Sequence, residues 1–176
     1  MADSHDNLNA IRKAVDFFNG EKVQMVIHAG DLISPFTSNE FKNLKMPFEA
    51  VFGNNDGERT GLKQAYSDLC VLEDFKEFNI NGRKIAVIHG HQNKITNALA
   101  AGGNYDVLIR GHSHESHIDA TGFEDKELNN QNNSEKGVSR SHTIIINPGE
   151  TCGYLSGHHT VVIMDPDDLK CHLIEL

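Results

Sequence analysis

The feature that most constrains the fold is an apolar run that ends in two histidines. Residues 105–109 are rich in branched apolar side chains, which predicts a buried β-strand. Arg110-Gly111-His112-Ser113-His114 follows directly, so two imidazoles stand at the carboxyl end of that strand. Spaced two apart, His112 and His114 point the same way in an extended chain. Neutral imidazole is a common ligand of first-row metals, although two histidines in a polar turn would show the same spacing.

Three further predicted strands also end in a side chain that can bind a metal. These side chains are Asp31, Asn54 and His89, after strand-like segments over 23–28, 48–52 and 83–88. Asp3 and His5 precede a predicted helix over 8–19 that Gly20 is expected to end. Taken alone, Asp3 and His5 also fit an untethered terminus, with Asp6 or Asn7 capping that helix.

Side chains at strand ends are expected to meet, because open α/β sheets bind ligands beyond the carboxyl ends of their strands. The set comprises two carboxylates, one amide oxygen and four imidazoles. This mixture suits Mn²⁺, Fe or Zn²⁺ better than Ca²⁺. Seven ligands are too many for one ion but suit two ions that share a bridging carboxylate.

Composition limits the alternatives. The 176 residues, of which 38% are hydrophobic, allow one domain with its own core. We expect that domain to span residues 1–176, with a polar, exposed extension over 121–142. The net charge of −9 argues against nucleic acid and anionic membranes as partners, and no apolar run is long enough to span a bilayer. Cys70, Cys152 and Cys171 are scattered, as expected of reduced thiols in a cytoplasmic protein.

The motifs and their order resemble the calcineurin-like metallophosphoesterases, and most of all the small single-domain phosphodiesterases of archaea and bacteria. The motifs are Asp3-x-His5, Gly30-Asp31, Gly53-Asn54-x-Asp56, His89-Gly90-His91, Gly111-His112-x-His114 and Asn147-Pro148-Gly149. The resemblance implies a four-layer α/β/β/α sandwich, in which helices flank two mixed sheets. It also implies two divalent metal ions, most often Mn²⁺ and sometimes Ni²⁺ or Mg²⁺.

The resemblance also implies a role for each ligand. One metal would be held by Asp3, His5 and His114, the other by Asn54, His89 and His112, and Asp31 would bridge them. Two divalent ions and two carboxylates leave a positive site that attracts a phosphate ester despite the acidic surface. A water between the ions would become hydroxide at neutral pH and attack phosphorus. We therefore expect a metal-dependent phosphodiesterase that acts on a small diester.

The sequence departs from the family pattern at the first motif. Family members usually have a short apolar strand before Asp-x-His, whereas Met1 and Ala2 alone precede Asp3 here. Either the true start lies upstream or the first metal site is weakened. We expect low metal occupancy or poor order at Asp3 and His5, because a lost strand removes buried core side chains.

A second departure concerns the proton donor to the leaving group. Asn55 stands where many members of the family have histidine, and an amide cannot act as a general acid. We therefore expect the enzyme to favour acidic leaving groups, such as those of aryl phosphodiesters. His91 is the candidate for a substitute acid or a phosphate contact, and an indirect or surface role is equally open. Asp56 is expected to support the turn or a ligand.

The main alternative function is a protein-binding scaffold of the same fold. The retromer subunit is similar in outline and acts chiefly through protein contacts. Loss of metal ligands would favour that function, and all seven positions are filled here. A cysteine-based phosphatase is excluded because no cysteine lies in a glycine-rich phosphate loop. The identity of the diester stays open, as does a homo-oligomer formed through exposed sheet edges.

Overall fold

The computed structural model describes residues 1–119 and 143–176, so the predicted extension over 121–142 lies outside the described residues. The helices are α1 (Leu8–Glu21), a 3₁₀ turn (Pro35–Thr37), α2 (Ser38–Phe41), α3 (Arg59–Ala65) and α4 (Asn93–Ala101). The strands are β1 (Val26–His28), β2 (Phe48–Ala50), β3 (Phe75–Ile80), β4 (Arg83–Ile88), β5 (Val107–Ile109), β6 (Ser116–Asp119), β7 (Ile144–Pro148), β8 (Thr160–Met164) and β9 (Cys171–Glu175).

The larger sheet is mixed and has the strand order β3-β4-β5-β7-β6. Strand β5 lies at its centre and runs parallel to both β4 and β7. The flanking pairs β3–β4 and β6–β7 are antiparallel. The dipeptide Asn81-Gly82 between two strand-like runs predicts a hairpin with a type I′ turn. The structure confirms this hairpin between β3 and β4, because Asn81 and Gly82 both have positive φ angles, 51° and 82°.

A second layer forms around the first residues of the chain. Residues 1–3 lie between the end of β1 and residues 150–152, running parallel to both. The backbone hydrogen bonds that hold them are Ala29 N to Met1 O, Asp3 N to Gly30 O, Thr151 N to Ala2 O and Cys152 N to Asp3 O, at 2.9–3.1 Å. Thr160 N donates to Glu150 O, which joins the β8–β9 hairpin to residues 150–152. Through residues 1–3, the hairpin is thus connected to the β1–β2 pair.

Within residues 1–119 and 143–176, three buried clusters fill the spaces between the layers. One packs α1, α2 and α3 on the outer face of β1 and β2, through side chains such as Ile11, Phe41 and Leu62. A second lies between the two sheets and contains Val51, Val87 and Ile109, among others. The third packs α4 on the opposite face of the larger sheet, against Leu108 and Ala86. This order of layers confirms the predicted α/β/β/α sandwich.

Helix α1 differs from the prediction at its carboxyl end. The prediction that Gly20 ends the helix is wrong, because α1 continues to Glu21 and Lys22 takes the left-handed conformation, with φ of 54°. A glycine inside a helix costs only about 1 kcal/mol, which the packing of the apolar face outweighs. Within residues 1–119 and 143–176, no helix combines the length and hydropathy that crossing a membrane requires.

Candidate metal centre

The side chains predicted from the strand ends meet at one edge of the molecule. Asp31, Asn54, His89 and His112 follow β1, β2, β4 and β5, respectively. Residues 1–3 run alongside β1, which brings Asp3 and His5 to the same edge. The structure therefore brings together all seven predicted metal ligands, which are Asp3, His5, Asp31, Asn54, His89, His112 and His114.

Four of these residues form a compact first group. Donor atoms of Asp3, His5, Asp31 and His114 all lie within 4.8 Å of one another. His5 Nε2 is 3.3 Å from Asp31 Oδ2, and His114 Nε2 is 3.4 Å from Asp3 Oδ1. The neighbouring carboxylates of Asp3 and then Asp31 raise the pKa of His5 to about 9 in the metal-free protein. A metal ion bound there must therefore displace a proton.

A second group stands on the other side of Asp31. His89 Nε2 lies 3.4 Å from Asp31 Oδ2 and 2.9 Å from Asn54 Oδ1. The His112 ring completes the group, with its centroid 5.2 Å from that of His89. His89 Nδ1 donates to the Ala29 carbonyl at 2.8 Å, so in the neutral ring the Nε2 lone pair faces Asp31 and Asn54.

Asp31 is the residue that joins the two groups. Its carboxylate contacts both His5 and His89 and is almost fully buried. Burial acts to raise its pKa, but the hydrogen bonds from His5 and His89 hold the pKa of Asp31 well below its usual value. An ionised carboxylate between two clusters of nitrogen and oxygen donors is suited to bridge two cations.

The residues present fit a divalent metal on two observations besides their chemistry. Asp3 Oδ1 is buried and has no hydrogen-bond partner among the described residues, although it points towards His114. Glycines line the donors where a side chain would collide with them. A Cβ on Gly30 would lie 2.6 Å from His89 Nδ1, and one on Gly111 would lie 2.5 Å from Asp3 Oδ2.

Asn55 and Asp56, which follow the predicted ligand Asn54 in the chain, both contact Asp31. Asn55 donates to Asp31 from its backbone N at 2.9 Å and from Nδ2 at 2.8 Å. Asp56 is buried and accepts hydrogen bonds from Asp31 N, Ile33 N and Gly53 N. This geometry fits the expected supporting role of Asp56, because its carboxylate binds backbone groups of both loops.

His91 lies at the exposed rim of the second group. Its ring centroid is 5.7 Å from that of His89 and 6.1 Å from that of His112. Burial and the neighbouring His89 lower the pKa of His91, so the neutral ring is favoured in the metal-free protein. Its role as an acid or phosphate contact stays a prediction.

Asp3 and His5, where the sequence predicts poor order, have defined backbone hydrogen bonds. Asp3 N donates to Gly30 O at 3.0 Å, and His5 N donates to Asp31 O at 3.2 Å. Met1 and Ala2 are both buried and fill the place of a short strand. The expected weakness of metal binding at this pair stays a prediction.

The sequence pattern did not indicate Glu150, a buried carboxylate behind His114. Its Oε2 lies 2.7 Å from His114 Nδ1. Although burial acts to raise its pKa, hydrogen bonds from Ser156 and then from Cys152 and His114 hold the pKa of Glu150 at about 2. Its position directly after Asn147-Pro148-Gly149 is the one sequence signal that could have drawn attention to it.

Fold and site together define a class of protein: an α/β sandwich with a crevice at its strand ends that is lined by histidine and aspartate side chains. A calcineurin-like phosphoesterase superfamily domain matches residues 1–169. A phosphodiesterase of Methanocaldococcus jannaschii is 39% identical over 170 residues, which cover 95% of this chain and 91% of that protein. A probable metallophosphoesterase of Methanothermobacter thermautotrophicus is 34% identical over 125 residues, or 67% of this chain and 66% of that protein.

Solved structures show the same relationship. The structure of an archaeal phosphodiesterase superposes with a TM-score of 0.83 at 37% identity, covering 100% of this chain and 97% of the other. Vps29 of Chaetomium thermophilum superposes with a TM-score of 0.65 at 15% identity, covering 100% of this chain and 94% of the other, and shows the fold alone. The chain therefore belongs to the calcineurin-like phosphoesterase superfamily.

Proposed function

We propose that this protein is a metal-dependent phosphodiesterase that hydrolyses a small phosphate diester. The observation that carries the proposal is the convergence of seven side chains with nitrogen or oxygen donors, among which the buried Asp31 carboxylate contacts both His5 and His89. The phosphodiesterase of M. jannaschii supports it, since 39% identity extends over nearly the whole chain. The net charge of −9 disfavours long polyanions such as nucleic acid as substrates.

The chain offers ligands for two divalent cations. We propose Asp3, His5 and His114 for one, Asn54, His89 and His112 for the other, and Asp31 as the shared ligand. Mn²⁺ is the proposed ion, with Ni²⁺ or Mg²⁺ as substitutes, because mixed imidazole and carboxylate ligation suits such metals. When bound, divalent cations activate water and neutralise the charge that develops on phosphoryl oxygens.

Other residues hold this arrangement and handle the substrate. Asp56 fixes the backbone of the Asp31 and Asn54 loops through its three hydrogen bonds. Asn55 orients Asp31, and because its amide cannot donate a proton as an acid, diesters with acidic leaving groups are the preferred substrates. His91, exposed at the rim, is the proposed contact for the phosphate or the leaving group.

We further propose a cytoplasmic location, a single domain and a homo-oligomer for this protein. The thiols of Cys70, Cys152 and Cys171 are free, as a reducing compartment such as the cytoplasm would keep them. One domain carries the whole site, since the family match spans residues 1–169. Strand β9 pairs only with β8 among the described strands and carries the exposed Leu173. Pairing of such edge strands between two copies of the chain would form a homo-oligomer.

The proposal is tested by hydrolysis of bis(p-nitrophenyl) phosphate by the purified protein. We expect turnover with Mn²⁺, its loss on chelation with EDTA, and its loss in Asp31→Asn. The control Glu40→Gln, which breaks the surface ion pair with Arg12, should leave turnover unchanged. Zero turnover with Mn²⁺, Ni²⁺ and Mg²⁺ would contradict the proposal and favour a protein-binding scaffold, the alternative that the sequence left open.

A further inference from the structure

A buried carboxylate and the proposed metal centre lie on opposite sides of one histidine ring. Glu150 is fully buried, and its Oε2 is 2.7 Å from His114 Nδ1. On the other edge of the ring, His114 Nε2 lies 3.4 Å from Asp3 Oδ1 and 3.2 Å from His5 Nε2. His114 therefore connects Glu150 to Asp3 and His5, which belong to the same group of donors.

The contact with Glu150 determines which ring nitrogen of His114 can bind a metal. An ionised carboxylate accepts hydrogen bonds only, so a 2.7 Å contact places the hydrogen on Nδ1. In a neutral imidazole the other nitrogen then carries the lone pair. The lone pair of His114 is thus directed at Asp3 and His5, where a cation would need it.

Glu150 is itself held in place by the loop that follows it. Its carboxylate accepts hydrogen bonds from three consecutive backbone N–H groups, those of Tyr154, Leu155 and Ser156, and from Cys152 Sγ at 3.1 Å. These donors compensate for the loss of water around a buried charge. They also occupy its oxygens, so Glu150 is suited to orient His114 and not to bind an ion itself.

Gly153 allows the loop to close around the carboxylate. It has a φ of +67°, and a Cβ at this position would lie 2.7 Å from the ring of His159. Any larger residue would meet both the left-handed backbone and that ring. The sequence Glu150-Thr151-Cys152-Gly153 therefore encodes the support as well as the carboxylate.

We propose that Glu150 is a positioning residue that fixes the tautomer and the orientation of His114. Its effect is to present Nε2 of His114 to a divalent cation that Asp3 and His5 also bind. That a divalent cation binds at this position rests on the proposed function. The hydrogen position on His114 does not, because it follows from the protein's own contacts.

The first test uses the unaltered protein without metal. Two-bond ¹⁵N–¹H couplings of the histidine rings, recorded at a pH where His114 is neutral, report which nitrogen carries the hydrogen. We expect hydrogen on Nδ1 of His114. Hydrogen on Nε2 would overturn the proposal, whatever the protein hydrolyses, so the result is independent of the proposed function.

The second test compares two matched substitutions. Glu150→Gln removes the buried charge, and Glu175→Gln removes the charge of an exposed carboxylate that lies at the same distance, 2.7 Å, from His158 Nδ1. In calorimetric titrations with Mn²⁺, we expect Glu150→Gln to weaken the binding of one cation about 10–100-fold and Glu175→Gln to change nothing. Equal affinities in wild type and Glu150→Gln would overturn the proposal. If Glu150→Gln does not fold, the couplings of the unaltered protein decide alone.

Discussion

At the scale of single residues, the proposed ligands share an unusual backbone. Five of the seven have left-handed φ angles between 41° and 72°, namely Asp3, His5, Asp31, His112 and His114. For residues with a Cβ this conformation costs about 1–2 kcal/mol each, and such residues cluster at functional sites. The surrounding fold must therefore supply the stability that keeps these side chains directed at one point.

This strain can be measured at His112, which has a φ of 72°. We expect His112→Gly to be about 1 kcal/mol more stable than His112→Ala, because glycine adopts this conformation without steric cost. Urea unfolding of the metal-free protein measures the difference. His91 has no positive φ, so the order should reverse for His91→Gly and His91→Ala. If the glycine variant is the more stable one at both positions, or the alanine variant at both, the backbone of His112 is not strained.

The identity of residue 55 should determine which leaving groups the enzyme tolerates. A positioned general acid contributes about 10²–10⁴-fold, so Asn55→His should raise turnover of alkyl diesters by roughly tenfold or more and that of aryl diesters little. Steady-state rates on both substrates measure it. Asn55→Ala serves as the control, since it removes the side-chain hydrogen bond to Asp31 without adding an acid. No gain on poor leaving groups would refute the role of residue 55.

At the scale of elements, the start of α1 supports the site from behind. Asn7 caps the helix by accepting a hydrogen bond from Ala10 N, and its Nδ2 donates to Cys152 O at 2.8 Å. One side chain thus joins the helix that follows His5 to the loop that surrounds Glu150. Sequence patterns indicated a cap at Asp6 or Asn7 but could not indicate its second partner, 145 residues away.

Substitutions at Asn7 should separate its two contacts. Asn7→Ala should lower the free energy of unfolding by about 1–2 kcal/mol, through the lost cap and the lost hydrogen bond. Asn7→Ser retains a capping hydroxyl but not the donor to Cys152, so it should recover about 1 kcal/mol. Chemical denaturation compares the two variants, and equal losses would show that the cap contributes nothing.

The β8–β9 hairpin carries a pH-dependent contact between His158 and Glu175. The carboxylate raises the pKa of the exposed His158 above its usual value, because it favours the charged ring. The stabilisation is therefore complete below the unfolded pKa of about 6.5 and is lost as the pH rises through the folded pKa. The melting temperature of wild type should exceed that of Glu175→Gln by more at pH 5.5 than at pH 8.5. A difference that does not change with pH would contradict this.

At the scale of the whole molecule, the sequence predicted what depends on local patterns. The hairpin at Asn81-Gly82 and the positions of the donors at strand ends follow from turn chemistry and periodicity. The end of α1 was not predicted correctly from these patterns, because tertiary packing overrode the helix-breaking tendency of Gly20. Glu150 was missed because its role depends on a loop folding back onto one carboxylate, beside a histidine 36 residues away.

The charge of the molecule and the charge of its site have opposite signs in the proposed active state. The surface is acidic overall, with a net charge of −9, and the crevice holds two buried carboxylates, Asp3 and Asp31. Divalent cations would reverse the sign locally, so phosphate binding and metal binding are coupled. Without metal, the crevice should repel a phosphate ester.

The metal content of the purified protein tests most directly whether Asp31 joins two cation sites. The protein is equilibrated with Mn²⁺, freed of unbound ion and measured by plasma mass spectrometry alongside Asp31→Asn. We expect about two ions per chain in wild type and fewer than one in Asp31→Asn, since both groups share this carboxylate. Equal metal content in the two proteins, or none in wild type, would contradict the proposed centre.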